Sequence, residues 1–250
     1  MATKPTNTTS LTPRVETAPW DNRYKIGKDD PPQPVEKGFG PWKSKGVTKW
    51  KKLQRDRLAT NMPFVAQRLG YNAALGLKHY MDNNGTDHWI DLESMVATVP
   101  SAKGEFLREV DDAVKFVESL SVGTYDICAI NSRECEILQS EGWNWFFAVA
   151  GYRAWGKGHV VVRPGSRMYP NELEYSLDFE YKIFDEYNWH EYKSADIGYL
   201  LNIPDRWLGE FHLQGMAMEY VTRGSLHRNF KWKKNHSIPS NQFASIPRRG

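Results

Sequence analysis

The fold of this chain is decided by Leu173-Glu-Tyr-Ser-Leu-Asp-Phe-Glu-Tyr-Lys-Ile183. Every odd position in this stretch is apolar and every even position is polar. Alternation with a period of two predicts a β-strand that has one face on a core and the other face in solvent. We therefore expect Leu177 and Phe179 to be buried, and Asp178 and Glu180 to be exposed.

The sequence before this strand has mostly helical patterns, and the sequence after Gly123 has mostly β patterns. Apolar residues recur at helical spacing in residues 63–85 and again after Pro100, where Ser101 is a candidate N-cap. A late helix is predicted at residues 206–218. The other predicted strands are residues 124–130, 144–152, 155–162 with a glycine turn or bulge, 196–201, and a closing hairpin of 219–223 and 226–232. This order predicts an α+β fold, with an N-terminal extended arm and helices before a mainly antiparallel sheet that includes one late helix.

Charge is distributed unevenly along the chain. The net charge is +7 in residues 1–60, −11 in residues 61–221 and +7 in residues 222–250. The basic ends are interpreted either as solvated tails or as arms that dock on an acidic partner. A nucleic-acid partner is not expected, because the middle of the chain is acidic and carries no binding motif. Residues 1–45 are rich in Thr, Pro and Gly, so we expect an extended arm that adds little to stability.

Several classes of protein are not supported by the sequence. There is no apolar run of eighteen residues and therefore no expected transmembrane segment. The N-terminus lacks the apolar core of a classical signal peptide, which leaves a cytoplasmic protein or one exported by a dedicated machine. The common nucleophile-elbow, Walker A, zincin and Rossmann motifs are absent. Cys128 and Cys135 are interpreted either as two free thiols or as a disulfide around one turn.

The candidate site follows the long strand, in Asp185-Glu-Tyr-Asn-Trp-His190. Asp185 and Tyr187 share a face if the strand continues. Asp, Tyr, Asn and His side chains together can polarise a phosphate ester or bind a metal. We expect Asp185 to act as a general base or metal ligand, Tyr187 and Asn188 to orient a polar substrate, and His190 to exchange a proton. The alternative is a strand end at which Asp and Asn cap a turn. Cofactor and metal requirements stay open.

Residues 143–232 resemble the C-terminal domains of secreted antibacterial toxins in polymorphic-toxin and type VI effector families. The resemblance covers about residues 70–232. The residues that carry it are Asn144–Tyr152, Trp155–Gly158, Asp185–Trp189, Leu208–His212, Gly215–Tyr220, and also His79–Gly85 and Val99–Ala102. The resemblance implies division into an arm or linker at 1–60, an α+β effector-like domain at 61–234, and a basic tail at 235–250.

A second resemblance is to the colicin M-like bacteriocins, which cleave the lipid-linked peptidoglycan precursor in the periplasm. Asp185 and Tyr187 match the Asp-x-Tyr-Asp motif of that family, but Asn188 stands where the motif has its second Asp. His190 and Lys193 roughly match its His-Arg pair.

Together the two resemblances imply an antibacterial effector that leaves the cell without a classical signal peptide and acts in the target-cell periplasm or envelope. Residues 1–60 are then expected to bind delivery machinery, and an immunity protein is an expected partner. The alternative function is a non-enzymatic structural or accessory protein of a phage tail or secretion particle, anchored by its N-terminal arm.

Overall fold

A computed structural model describes residues 23–35, 38–165, 172–189 and 205–244. Helices and a single seven-stranded sheet make up this part of the chain, so the predicted α+β fold class is confirmed. The helices are α1 Lys49–Thr60, α2 Met62–Leu69, α3 Tyr71–Asp82, α4 Leu92–Thr98, α5 Pro100–Glu118, α6 Trp143–Ala148 and α7 Asp205–Leu213. The strands are β1 Tyr24–Ile26, β2 His88–Trp89, β3 Gly123–Ala129, β4 Arg133–Glu136, β5 Gly151–Pro164, β6 Leu173–Tyr187 and β7 Tyr220–Lys233.

The sheet is built around β6. Its strand order is β1-β3-β5-β6-β7-β2, and β4 pairs with the first residues of β5 beside β3. Strand β6 is paired over twelve residues with β5 and over fourteen residues with β7. All of these pairs are antiparallel except β2 with β7, which is parallel. The predicted sheet type is therefore correct, with one short parallel exception at the edge.

The alternating stretch of β6 has the predicted register. Leu177 and Phe179 are both 0% exposed, and Asp178 between them is exposed. Glu180 was expected to be exposed but is half-buried, because the His227 imidazole lies across from it on β7, 3.6 Å from its carboxylate. One face of β6 thus belongs to the core, and the other is polar and partly covered.

Two hydrophobic cores lie against the sheet. The first core packs α4 and α5 on the central strands, through residues such as Phe106 and Val110 of α5. The second core packs α1, α2, α3 and α7 around the far ends of β6 and β7. Helix α6 contributes to both, since Trp145 belongs to the first core and Phe147 to the second. The helices therefore form two blocks that meet above β6.

Two predicted β elements are wrong. Residues 144–152 were expected to form a strand, but Trp143–Ala148 is helix α6 and β5 begins only at Gly151. The expected closing hairpin is one continuous strand, β7. Gly224 is not a turn residue: it lies opposite Ile183, where a Cβ atom would come within 3.2 Å of that side chain.

The glycines of β5 make room for the core and do not form a turn or bulge. Gly158 pairs with Phe179, and a Cβ atom there would lie 2.5 Å from the Asp178 carbonyl oxygen. Gly156 pairs with Tyr181, and a Cβ atom there would lie 2.4 Å from the Phe179 ring. Strand β5 therefore runs on without interruption, and its two glycines allow large side chains to fill the space above them.

Two helix predictions also change in detail. Residues 63–85 form two helices, because Gly70 adopts φ +103 between α2 and α3. The N-cap of α5 is Val99, not Ser101. The Ser101 hydroxyl donates instead to the Glu141 carboxylate at 2.6 Å, which ties α5 to the turn before α6.

Some side chains in residues 23–35 and 38–45 contact the rest of the protein, so these residues are not wholly the extended arm that the sequence predicted. What they contribute to stability stays a prediction. Tyr24 in β1 is 1% exposed, and its hydroxyl donates to the buried Glu109 carboxylate at 2.9 Å. Asp30 forms ion pairs with Lys157 and Lys182 on the polar face of the sheet. These contacts were not predicted, because a single buried aromatic and its partner do not alter segment composition.

Cys128 and Cys135 are free thiols, and both are buried. Burial raises the pKa of the Cys135 thiol to about 12, and it also raises the pKa of Cys128. Among the two alternatives left open by the sequence, this arrangement corresponds to two unpaired thiols.

None of the helices in the described ranges combines the length and the apolar character needed to cross a lipid bilayer. The strand predicted at residues 196–201 lies outside the described residues.

Candidate functional site

Two of the four predicted site residues come together at the end of β6. Asp185 and Tyr187 lie on the same face of the strand, as the period of two requires. Asn188 follows directly, and its backbone N–H donates to the Glu186 carbonyl oxygen at 2.8 Å, which begins a turn. His190 lies outside the described residues, as does Lys193.

Asp185 lies where the two helical blocks meet. Ile183, two residues earlier, belongs to the first core, and Tyr187, two residues later, packs against the second core. Asp185 is half-buried between them.

Helix α6 is hydrogen-bonded to one helix of each block. The Trp145 indole N–H donates to the Thr98 hydroxyl at the end of α4, at 3.1 Å. The Asn144 side-chain oxygen accepts the backbone N–H of Asn72, in the first turn of α3, at 2.7 Å. Helix α6 is therefore bonded both to α4 of the first core and to α3 of the second core, and elements held in this way can place functional groups precisely.

The register of the sheet places a histidine on the same face as Asp185. Asp185 pairs with Thr222 on β7, and Thr222 in turn pairs with His88 on the parallel edge strand β2. Two strand spacings separate the Cα atoms of Asp185 and His88 by about 10 Å. Thr222 between them is fully buried. A carboxylate and an imidazole thus lie on either side of a small residue, on the same face of the sheet.

Aromatic rings connect the end of β6 with α3. The rings of Tyr187 and Tyr220 are stacked, with centroids 4.7 Å apart and an angle of 10° between the planes. The Tyr220 hydroxyl donates to the Gly76 carbonyl oxygen of α3 at 2.9 Å. A Cβ atom at position 76 would lie only 3.1 Å from that hydroxyl, so glycine permits this close approach. Tyr187 is therefore held in place by its stacking partner.

Two histidines, His79 and His88, lie beside the Tyr220 ring. The His79 ring is 4.9 Å from the His88 ring and 4.6 Å from the Tyr220 ring, centroid to centroid. The His79 Nε2 atom lies 2.8 Å from the Thr86 carbonyl oxygen, which can only accept, so Nε2 carries the proton. Burial, and then the neighbouring His79, lower the pKa of His88 below its usual value of 6.5. His88 is therefore neutral near pH 7 and able to accept a proton.

Tyr220 has the opposite character. Burial raises its pKa well above the usual value of 10.0, and the nearby Tyr187 and Asp185 raise it further. The Tyr220 phenol stays protonated and serves as a hydrogen-bond donor to α3.

The sequence missed His79, His88 and Tyr220 as members of this site. His88 reaches Asp185 only through the pairing of β2 with β7, whose partners are more than 130 residues apart in the chain. His79 and Tyr220 had a signal, since both fall in stretches that resemble antibacterial toxins. In the part of the chain that is described, no group of three or more His, Cys, Asp and Glu side chains is arranged to hold a metal ion.

Comparison with known proteins yields little. No family model matches the chain, and no curated protein matches it. Among solved structures, the chain is similar to PaeM, a colicin M-like bacteriocin produced by Pseudomonas aeruginosa, with 14% sequence identity and a TM-score of 0.36. The similarity covers 67% of this chain and 54% of that one, so the chain spans about half the length of the bacteriocin.

Proposed function

We propose that the protein is an antibacterial effector toxin whose catalytic site lies at the end of β6. The observation that carries the proposal is the convergence of Asp185 and Tyr187 with His88, three residues from two distant parts of the chain. A half-buried carboxylate and a neutral imidazole are a pair suited to general acid–base chemistry near pH 7. The proposal rests on this cluster and not on the distant likeness to a bacteriocin.

The proposed substrate is a phosphate ester of the cell envelope, in particular the lipid-linked peptidoglycan precursor. Asp185 is proposed to accept a proton from the water that attacks phosphorus while the bond from phosphorus to the lipid alcohol oxygen breaks. His88, on the other side of Thr222, is proposed to donate its ring N–H proton to the departing alcohol oxygen and to regain a proton from solvent. Tyr187 and Asn188 are proposed to orient the phosphate and its sugar. His190 remains a candidate for proton exchange as the sequence predicted. Delivery of the toxin and recognition by an immunity protein belong to the same proposal.

The test is expression of the protein in the periplasm of a susceptible bacterium. We expect wild type to lyse the cells, and Asp185→Asn to lower killing by at least about a hundredfold, as loss of a general base does. His88→Gln and His190→Ala are compared in the same assay. The matched control is Asp178→Asn, which alters an exposed carboxylate on the opposite face of the same strand.

Folding of each variant is checked by circular dichroism. A folded Asp185→Asn variant that kills as well as wild type contradicts the assignment of the site. Killing that occurs only from the cytoplasm contradicts an envelope target. Release of the phosphorylated head group from a radiolabelled lipid-linked precursor by the purified protein identifies the substrate directly.

The structural role in a phage tail or secretion particle receives no specific support from the described residues. That role requires an N-terminal arm that is free to anchor the protein to a particle. Trp42 in this segment donates its indole N–H to the Asn83 side chain at 3.0 Å, and Phe39 packs against the second core. A wild-type protein that is harmless in every compartment and co-purifies with particles in fixed stoichiometry is the outcome that favours this alternative.

A further inference from the structure

Helix α1 and the residues before it present an unusual outer surface. Seven Lys or Arg residues and one Asp lie in residues 43–57. Among them stand three large apolar side chains that point to solvent: Val47 is 58% exposed, Trp50 59% and Leu53 43%. The α1 surface is defined by Lys45, Val47, Lys49, Trp50, Lys52 and Leu53.

The exposed residues of α1 occupy one side of the helix. At 3.6 residues per turn, exposed positions 49, 50, 52, 53, 56, 57 and 60 span roughly 160° of its circumference. The opposite side is fixed to the protein. Leu58 is buried in the second core, and the Lys51 ammonium pairs with the Glu210 carboxylate of α7 at 2.6 Å. The helix therefore cannot rotate to bury Trp50 and Leu53 against the rest of the protein.

The segment before α1 is equally well anchored. The backbone N–H groups of Lys43 and Lys45 donate to the His212 and Leu213 carbonyl oxygens at the end of α7. The Thr48 side chain caps α1 by accepting the Lys51 N–H at 3.3 Å. The lysines are thus carried on a backbone that is already ordered, so binding through them does not require ordering of the chain.

We propose that the α1 surface docks on a bilayer rich in anionic phospholipids, with the helix axis parallel to the membrane plane. Each Lys or Arg close to such a surface contributes to binding, and Trp is favoured at the boundary between head groups and acyl chains. Outward Val, Trp and Leu side chains between the lysines fit a lipid surface better than a phosphate backbone in water. This inference goes beyond the proposed function and is measured without any killing assay.

The test is sedimentation of the full-length protein with sucrose-loaded vesicles. Vesicles of equal parts phosphatidylglycerol and phosphatidylcholine are compared with vesicles of phosphatidylcholine alone. We expect strong binding to the anionic vesicles that weakens as salt is raised, and weak binding to the neutral ones. Lys49→Gln with Lys52→Gln should weaken binding to anionic vesicles about thirtyfold, the effect of two lost charges. Trp50→Ser with Leu53→Ser should weaken it at least about tenfold.

A matched control lies on α5, where Leu107 is also exposed between Lys103 and Arg108. Lys103→Gln with Arg108→Gln, and separately Leu107→Ser, should change vesicle binding less than about twofold. Absence of binding to anionic vesicles at low salt overturns the proposal, and so does an equal loss in the α5 control. Unchanged binding in the Trp50 and Leu53 variant also overturns it. Binding to a DNA oligomer without binding to vesicles identifies a polyanion site instead.

Discussion

At the scale of single residues, the proposed site requires an uncharged His88. Its ring is partly buried, and a second imidazole, that of His79, lies against it. Two imidazolium rings in contact repel each other, so charging one of them opposes charging the other. The pair therefore favours a neutral His88 ring, and the Cα atom of His88 lies about 10 Å from that of Asp185 across Thr222.

The first prediction concerns the pH dependence of stability. Below pH 6.5 the unfolded chain binds more protons at His88 than the folded protein does, because the folded-state pKa is lowered. The stability that His88 supports is therefore complete above pH 6.5 and is lost as the pH falls from there through the folded-state pKa. We expect His88→Gln to make the urea midpoint depend less on pH between about 7 and 5.

The control for this prediction is His236→Gln, since His236 is an exposed histidine near the C-terminal end of the described chain. This variant should keep the pH dependence of wild type. Equal slopes for wild type and His88→Gln contradict the environment described for His88.

The residues of the site were only partly predictable from sequence. The shared face of Asp185 and Tyr187 was predictable because the period of two in β6 fixes which side chains lie on one side, and their catalytic role stays a prediction. His88 was not found, because β2 is two residues long and carries no pattern of its own. Its place is decided by pairing with β7, and no local property of the sequence encodes that partner.

At the scale of elements, β6 carries the core of the sheet. Phe179 is fully buried, its ring is 6.2 Å from that of Phe230, and Gly156 on β5 leaves the space for it. We expect Phe179→Ala to lower the free energy of unfolding by about 3–5 kcal/mol. Asp178→Ala, the neighbouring exposed position, should change it by less than about 0.5 kcal/mol. Urea denaturation measures both.

If Phe179→Ala and Asp178→Ala lower the free energy of unfolding by the same amount, the register of β6 is contradicted. A shift by one residue exchanges the two faces of a strand, so the comparison is sensitive to it.

The elements that were wrongly predicted share a cause. Trp143–Ala148 is rich in Trp and Phe, which favour strands, yet it forms α6 because its rings pack into both cores. Gly224-Ser225 looks like a turn in sequence, yet the glycine is needed for packing against Ile183. In both cases tertiary contacts outweigh a local preference. In β6 and α5, by contrast, the local sequence pattern and the tertiary contacts favour the same structure.

At the scale of the whole molecule, β1 joins the N-terminal segment to the core. Tyr24 is buried between α5 and the sheet, and its hydroxyl is one of the groups that satisfy the buried Glu109 carboxylate. We expect Tyr24→Ala to lower the free energy of unfolding by about 3–5 kcal/mol, because it creates a cavity and removes a hydrogen-bond donor from a buried charge. The thermal midpoint should fall accordingly.

Lys25→Ala is the matched control, because Lys25 is the next residue of β1 and is exposed. It should leave the midpoint nearly unchanged. If Tyr24→Ala also leaves it unchanged, the first strand adds little to the fold, as its composition alone had indicated.

The position of β7 determines when the protein can finish folding during synthesis. This strand is nearly the last part of the described chain to be made, yet it lies in the interior of the sheet between β6 and β2. Until the ribosome has passed Lys233, β2 has no strand to pair with and β6 has one open edge. The nascent chain therefore carries its described helices and the paired strands β1 and β3 to β6 without a closed core, and cooperative folding waits until β7 has left the ribosome.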